Sequence, residues 1–228
     1  MLEFYQAFAD YRTMATITRE IIQAVARSVS GTEVVTRVDG SVIDLSGEWA
    51  HLDLYESVSA AVGERISPET DRDRLEALCE VAGISVAPTW VPGKLVEELL
   101  EHHVLPTLDR PTFVMDYPVD TSPLVRSHRS RPGVVEKWDL YIGGVEQATG
   151  YSELVDPVIQ RERLSDQAAL AARGDDEAMR VDEDFLRALE HGMPPCGGVG
   201  VGIDRLLMNL TGYGIRETIL FPLVKPER

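Results

Sequence analysis

The sequence predicts an α+β fold, with strands and helices gathered in blocks rather than alternating. Three observations carry the prediction. The chain opens on "MLEFYQAF", which reads as a buried strand; residues 53–110 read as a run of helices; and from residue 111 onward β-rich segments alternate with glycine. At 228 residues, with 44% hydrophobic content, one such domain buries a substantial core.

Each element follows from local pattern. In the opening strand Glu3 and Tyr5 stand at alternate positions and share a face. "DYRTMATITREIIQAVARSV" places Met14, Ile17, Ile21, Ile22 and Val25 at three-and-four spacing, an amphipathic helix whose apolar face meets the sheet. "TEVVTRVDGSVID" (32–44) sets two β-branched runs around Asp39-Gly40, the signature of a peripheral hairpin. "LYESVSAAVG", "RDRLEALCEVAGI" and "GKLVEELLEHHVLPTL" are helical, the first two closing near a glycine. Adjacent His102 and His103 point to different helix faces and are assigned no metal. "EKWDLYIGGVEQATGYSEL" (136–154) reads as two strands around Gly143-Gly144. A polar helical stretch then runs to Gly192, and "GGVGVGIDRLLMNL" (197–210) is a strand running into a helix.

Composition excludes several classes. The formal net charge of −16 argues against a nucleic-acid surface built by this chain alone, since phosphate backbones are held by clustered Lys and Arg. No stretch reaches the roughly 20 apolar residues of a membrane span, and no signal-peptide pattern opens the chain. Cys79 and Cys196 match no metal spacing and read as two free thiols in a reducing compartment, so the expected location is the cytoplasm.

Three constellations carry candidate chemistry. In "GGVGVGIDR", Gly198, Gly200 and Gly202 alternate with apolar residues, leaving one strand face bare for a close ligand, with Arg205 at the start of the next helix. A tightly packed structural strand explains the pattern equally well. Asp139 and Glu146, on the two strands of the glycine hairpin, read either as solvent-facing acids or as two carboxylates for Mg²⁺. Thr149, Tyr151 and Glu153 share strand parity and line one face with a hydroxyl, an aromatic wall and a carboxylate, a surface suited to a cationic amine.

Together these segments resemble the catalytic domain of class II lysyl-tRNA synthetases. "MLEFYQAFADY" is similar to the second half of the family's motif 2. "PTFVMDYPVDTSPL", "GYSELVDPVIQRERL" and "GDDEAMRVDEDFLRALEHGMPP" follow in family order, and "GVGVGIDRLLMNLTGYGIRETILFPLVKP" is similar to motif 3. "ATGYSEL" resembles the actinobacterial branch, in which such a domain is fused to a lysyl-phosphatidylglycerol synthase. The resemblance implies an antiparallel sheet flanked by helices, lacking its N-terminal strands, over residues 1–228. It implies ATP-dependent formation of lysyl-adenylate and transfer to tRNA, the alternative being a non-catalytic lysine-binding or regulatory module.

By matching position, Glu3 contacts the lysine α-amino group together with Tyr5, and Glu153 pairs with the ε-ammonium while Tyr151 packs along the stem. Asp139 and Glu146 hold Mg²⁺ and ATP phosphates, Gly200 and Gly202 floor the pocket, and Arg205 stacks on adenine and meets the γ-phosphate. Asp139 and Thr149 stand where most lysyl enzymes carry Glu and Asn, which bears on metal geometry and lysine affinity. The family's anticodon-binding OB-fold, motif 1 and the first strand of motif 2 find no match here. The expectation is that adenylation and tRNA(Lys) binding require a supplied N-terminal part; the sequence leaves the oligomeric state open, an exposed sheet edge inviting association and a homodimer being one outcome.

Overall fold

A computed structural model describes residues 1–174 and 178–222. Six strands form the main sheet: β1 (Leu2–Ala7), β4 (Ala50–Asp53), β5 (Thr112–Met115), β6 (Lys137–Ile142), β7 (Val145–Ser152) and β8 (Cys196–Val201). Their order across the sheet is β1-β8-β7-β6-β5-β4. The first five strands pair antiparallel, as expected, whereas β4 joins β5 in parallel and makes the sheet mixed. The sequence reading did not place β4. It has only four residues, Ala50-His51-Leu52-Asp53, too few for their alternation to stand out beside the helical pattern that follows. The 32–44 hairpin forms as expected, β2 (Val34–Thr36) against β3 (Val42–Asp44), with Gly40 at φ 82° in its turn.

Helix α1 (Tyr11–Ser30) covers one face of the sheet. Asp10 caps it by accepting from the backbone N–H groups of Arg12 and Thr13, and Gly31 closes it in the left-handed region at φ 75°. Met14, Ala15, Ile22 and Ala26 pack with Phe113, Trp138, Leu140 and Val199 in the core beneath the helix. Polar bonds fix its position: the Trp138 indole donates to the Tyr11 carbonyl at 2.7 Å, and the Tyr11 hydroxyl donates to Asp116 Oδ1 at 3.0 Å. Asp10 also meets Arg129, whose guanidinium is paired with the fully buried Glu136. Replacing Asp10 with alanine is expected to cost about 1 kcal/mol through the cap alone. A lowered urea midpoint at unchanged m-value checks it.

The opposite face is covered only in part. Helices α2 (Leu54–Val62), α3 (Arg72–Val81) and α4 (Pro92–His103) pack a second core against β5 and β6, built on Leu54, Val58, Leu75, Leu95, Leu99 and Val114. The helical block ends near the β6–β7 boundary, where Tyr151 packs against its edge. Beyond it the same face of β7, β8 and β1 lies open. Helices α5 (Pro157–Ala171) and α6 (Glu183–Glu190) follow β7, and α7 (Ile203–Thr211) and the short α8 (Ile215–Thr218) follow β8. The expected polar helical stretch to Gly192 is thus split, and its residues 175–177 lie outside the described residues, as does the chain beyond 222.

One expectation is reversed. The opening strand is not buried: in β1 only Phe4 is partly covered, and Tyr5 is 61% exposed. β1 is an edge strand paired on one side with β8, and alternation reports which residues share a face but not whether the strand lies at an edge. Among the described residues no helix is long and apolar enough to cross a membrane.

Candidate active site

Strand register assembles the site. Glu3 pairs with Gly200, Gly200 with Thr149, and Thr149 with Asp139, so these four form one row across β1, β8, β7 and β6. One step along, Tyr5, Gly198, Tyr151 and Lys137 form a second row. Side chains two apart on a strand share a face, so both rows look out through the open half of the sheet. Glu153 follows just past β7, its N–H bonded to the Cys196 carbonyl at 2.9 Å.

Gly198 is the packing hinge of this surface. A Cβ built there falls 2.1 Å from Glu153 Oε1 and 2.7 Å from the Tyr5 ring, so the carboxylate and the phenol sit directly on its bare backbone. Gly200 differs, since its added Cβ meets only Met1 Sδ at 3.6 Å and Thr149 Cγ2 at 4.0 Å. Open space therefore lies above Gly200, and a filled groove above Gly198. Gly202 is outside the strand; it is the N-cap residue of α7, with the Arg205 side chain lying 3.3–3.5 Å from where its Cβ would be.

Glu153 is the most perturbed carboxyl group here. Burial pushes its pKa up to about 7, and its Oε1 is buried with no hydrogen-bond partner. A carboxylate held in this way is incompletely satisfied until a cation or a proton reaches it. Tyr5 and Tyr151, on either side, have their phenols raised by burial first and by the Glu153 charge second. Both remain neutral walls at physiological pH. The Cys196 thiol is raised by the same two causes, and Cys196 and Cys79 are free and buried, as expected.

Asp139 and Glu146 are not opposite one another. Asp139 faces Thr149, whereas Glu146 faces Tyr141, because Gln147 is an extra residue between the Tyr141–Glu146 and Leu140–Ala148 pairs. Simple parity from Thr149 puts Glu146 on the wrong side of the sheet; the bulge returns it to the Asp139 face. Asp139 is buried, its Oδ2 taking a 2.8 Å bond from the Lys137 ammonium and its Oδ1 unpartnered. Glu146 is half-exposed, and its backbone carbonyl accepts from Arg205 Nη1 at 2.7 Å with the carboxylate 3.4 Å away. Among the described residues no group of three or more His, Cys, Asp or Glu side chains is arranged to hold a metal ion.

Sequence reasoning missed four contributors. Lys137 stands two residues before Asp139, a spacing legible in "KWD", and its ammonium also lies 3.9 Å from the centroid of the buried Tyr117 ring. Glu97 on α4 accepts from Thr121 Oγ1 at 2.6 Å, and burial lifts its pKa to about 6 against the pull of Lys137. No local signal marked Glu97 or Tyr117, because each reaches the site from a distant segment. Gly198 was visible in the glycine alternation, but nothing in the sequence separated its role from that of Gly200.

The fold is a layered α+β domain whose open sheet face carries carboxylates, tyrosines and a bare glycine strand. The family model for tRNA synthetases class II (D, K and N) matches residues 1–225, and the chain belongs to that family. Among its relatives, the lysine–tRNA ligase of Kineococcus radiotolerans is 63% identical over all 228 residues, which cover 46% of that protein. The lysine–tRNA ligase of Mycobacterium bovis is 57% identical, again across this whole chain and 46% of the relative. A lysylphosphatidylglycerol biosynthesis bifunctional protein of Mycobacterium avium is 51% identical over 20% of its length. The chain thus spans about half the length of the ligases it matches.

Proposed function

We propose that this chain is the lysine-recognising part of a lysine–tRNA ligase catalytic domain, which activates lysine with ATP and passes it to tRNA. The observation that carries the reading is Glu153, a half-buried carboxylate whose Oε1 is buried and unpartnered on the open sheet face, beside two tyrosines. Such a group recognises a cation, and an alkylammonium stem fits between aromatic walls. The sequence identity to two lysine–tRNA ligases supports lysine as that cation.

In this reading Glu153 holds the ε-ammonium and Tyr151 flanks the stem. Glu3, at the far end of the Gly200 row, holds the α-ammonium, with Tyr5 beside it. Two carboxylates gripping the two ammonium groups repel the substrate carboxylate, which is left facing Thr149 and the open space over Gly200. That oxygen attacks the α-phosphorus of ATP, the bond to pyrophosphate breaks, and lysyl-adenylate forms. Gly202 keeps the approach to α7 free of a side chain other than Arg205, which meets the nucleotide.

The Asp139 and Glu146 carboxylates fit Mg²⁺ as a pair of hard oxygen donors, Asp139 through its unpartnered Oδ1. The ion, when bound, neutralises phosphate charge. Lys137 holds the other Asp139 oxygen, fixing the carboxylate before ligands arrive. An acidic chain of net charge −16 contributes little to tRNA affinity, so in this reading tRNA affinity needs a segment of the kind that the longer ligase relatives carry outside the matched part.

Calorimetric titration tests the reading. Saturable heat is expected with L-lysine and none with L-norleucine, which keeps the four-carbon stem without the ammonium; absence of heat with lysine at millimolar concentration overturns it.

A further inference from the structure

The β2–β3 hairpin lies outside the main sheet, yet it reaches the nucleotide end of the site through a continuous line of hydrogen bonds. Arg37, in the hairpin connection, donates from Nε to the Asn209 carbonyl at 2.8 Å and from Nη2 to Asn209 Oδ1 at 2.9 Å. Asn209 Nδ2 donates to Gln147 Oε1 at 3.0 Å, and Gln147 Nε2 donates to the Gly202 carbonyl at 2.8 Å. The backbone closes the loop, with the Gly202 N–H donating to the Gln147 carbonyl at 3.0 Å. Asn209 and Gln147 are 5% and 1% exposed, so water does not substitute for these partners.

The line has a direction. A guanidinium only donates, so Arg37 fixes which end of the Asn209 amide turns toward it, and Asn209 then fixes the Gln147 amide. Gln147 is the bulge residue that returns Glu146 to the site face, and Gly202 is the side-chain-free N-cap from which Arg205 emerges. The two functional side chains at this end therefore depend on one polar line whose fixed donor is Arg37. The guanidinium is closely seated: a Cβ at Gly143 falls 3.2 Å from Arg37 Nη2, and one at Gly212 falls 2.8 Å from Arg37 Cβ.

We infer that Arg37 is a positioning residue which, through Asn209 and Gln147, sets Glu146 and Arg205 for the nucleotide. The inference rests on the reading of that end of the site given above. Amide hydrogen exchange of the ligand-free chain tests the line without any ligand. In Arg37→Met, exchange at residues 145–148 and 202–206 is expected to accelerate on the order of tenfold or more, with β1 and the β8 amides before residue 201 unchanged. In Arg37→Lys, which keeps one donor, the acceleration is expected to be smaller. Asp39→Ala loosens the same hairpin by removing the acceptor of the Ser41 N–H and hydroxyl, while leaving every side-chain donor and acceptor of the line in place. It is expected to leave 202–206 unchanged.

Binding supplies the functional readout. Arg37→Met is expected to weaken Mg·ATP about tenfold while leaving lysine affinity unchanged. Unaltered exchange at 202–206 in Arg37→Met, or an equal response to Asp39→Ala, overturns the inference. An equal loss of lysine and ATP affinity overturns it as well, because that is the signature of general unfolding. Absence of ATP binding by the unsubstituted chain refutes the nucleotide part of both proposals, and the exchange result then decides the line of hydrogen bonds separately.

Discussion

Replacing Glu153 with glutamine is expected to abolish lysine binding and, at pH 8, to make the protein more stable. The two effects have one cause. Glu153 is half-buried with its Oε1 enclosed and unpartnered, and its pKa of about 7 lies above that of an unfolded glutamate, so the folded state holds the proton more tightly than the unfolded state. Stability contributed by this group therefore falls as pH rises from the unfolded value near 4.5 to about 7, and the full cost of the buried charge is present above that. Glutamine removes the charge and with it the cost. At pH 5, where Glu153 is already protonated, the variant and the parent are expected to melt at nearly the same temperature. Lysine affinity moves the other way: an ammonium facing a neutral amide loses its counter-charge, which costs about 3–5 kcal/mol, or more than about two orders of magnitude in affinity. Thermal melts at pH 5 and pH 8 beside one lysine titration check both arms.

The second large effect separates two glycines that the sequence presents as equivalent. Gly198→Ala places a Cβ 2.1 Å from Glu153 Oε1 and 2.7 Å from the Tyr5 ring, and neither contact is tolerable without displacing the side chain. The Glu153 carboxylate leaves its enclosed position over Gly198, and Tyr5 shifts outward on an edge strand. The expected result is a fold that is retained at reduced stability, by about 1–3 kcal/mol for overpacking, and lysine binding that is lost. Gly200→Ala meets nothing closer than 3.6 Å. It is expected to leave the melting temperature within experimental error, yet to weaken lysine and nucleotide by filling the open space above the strand. Equal effects of the two substitutions on stability contradict this assignment.

The contrast shows what the sequence carried and what it did not. Period-two alternation placed Glu3 with Tyr5, and Thr149 with Tyr151 and Glu153, on shared faces; the register sets Glu3 across β8 from Thr149 and Tyr5 across it from Tyr151, while Glu153 lies just past β7. Alternation is local, however, and three non-local facts lay beyond it. The exposure of β1 depends on which strand flanks it, and β1 has one neighbour. The placement of Glu146 depends on a single extra residue, Gln147, which no turn signal marks. Glu97 and Tyr117 reach the site through packing of α4 and the segment after β5, and helical periodicity says only that such residues lie on a helix face. The hairpin at 32–44 was legible as a hairpin, but its peripheral appearance concealed Arg37, whose partners lie 172 residues away.

Lys137 illustrates a further distinction. Its ammonium neutralises Asp139 from the neighbouring row and lies against Tyr117, so Asp139 has a cation of the chain's own beside it. Glu153 Oε1 has no such partner, and by that asymmetry we give the open carboxylate to substrate and the paired one to the nucleotide end.

The central claim is that Glu153 is an ionisable receptor for the lysine ammonium, and proton linkage tests it most directly. Lysine titrations in two buffers of different ionisation heat give the number of protons released on binding. Because the free carboxyl titrates at about 7 and the bound one is held ionised by the ammonium, about one proton is expected to leave per lysine at pH 6 and almost none at pH 8.5. Lysine affinity is expected to be about tenfold weaker at pH 6 than at pH 8. Lysine binding with no proton release at pH 6, and equal affinity at the two pH values, contradicts the account.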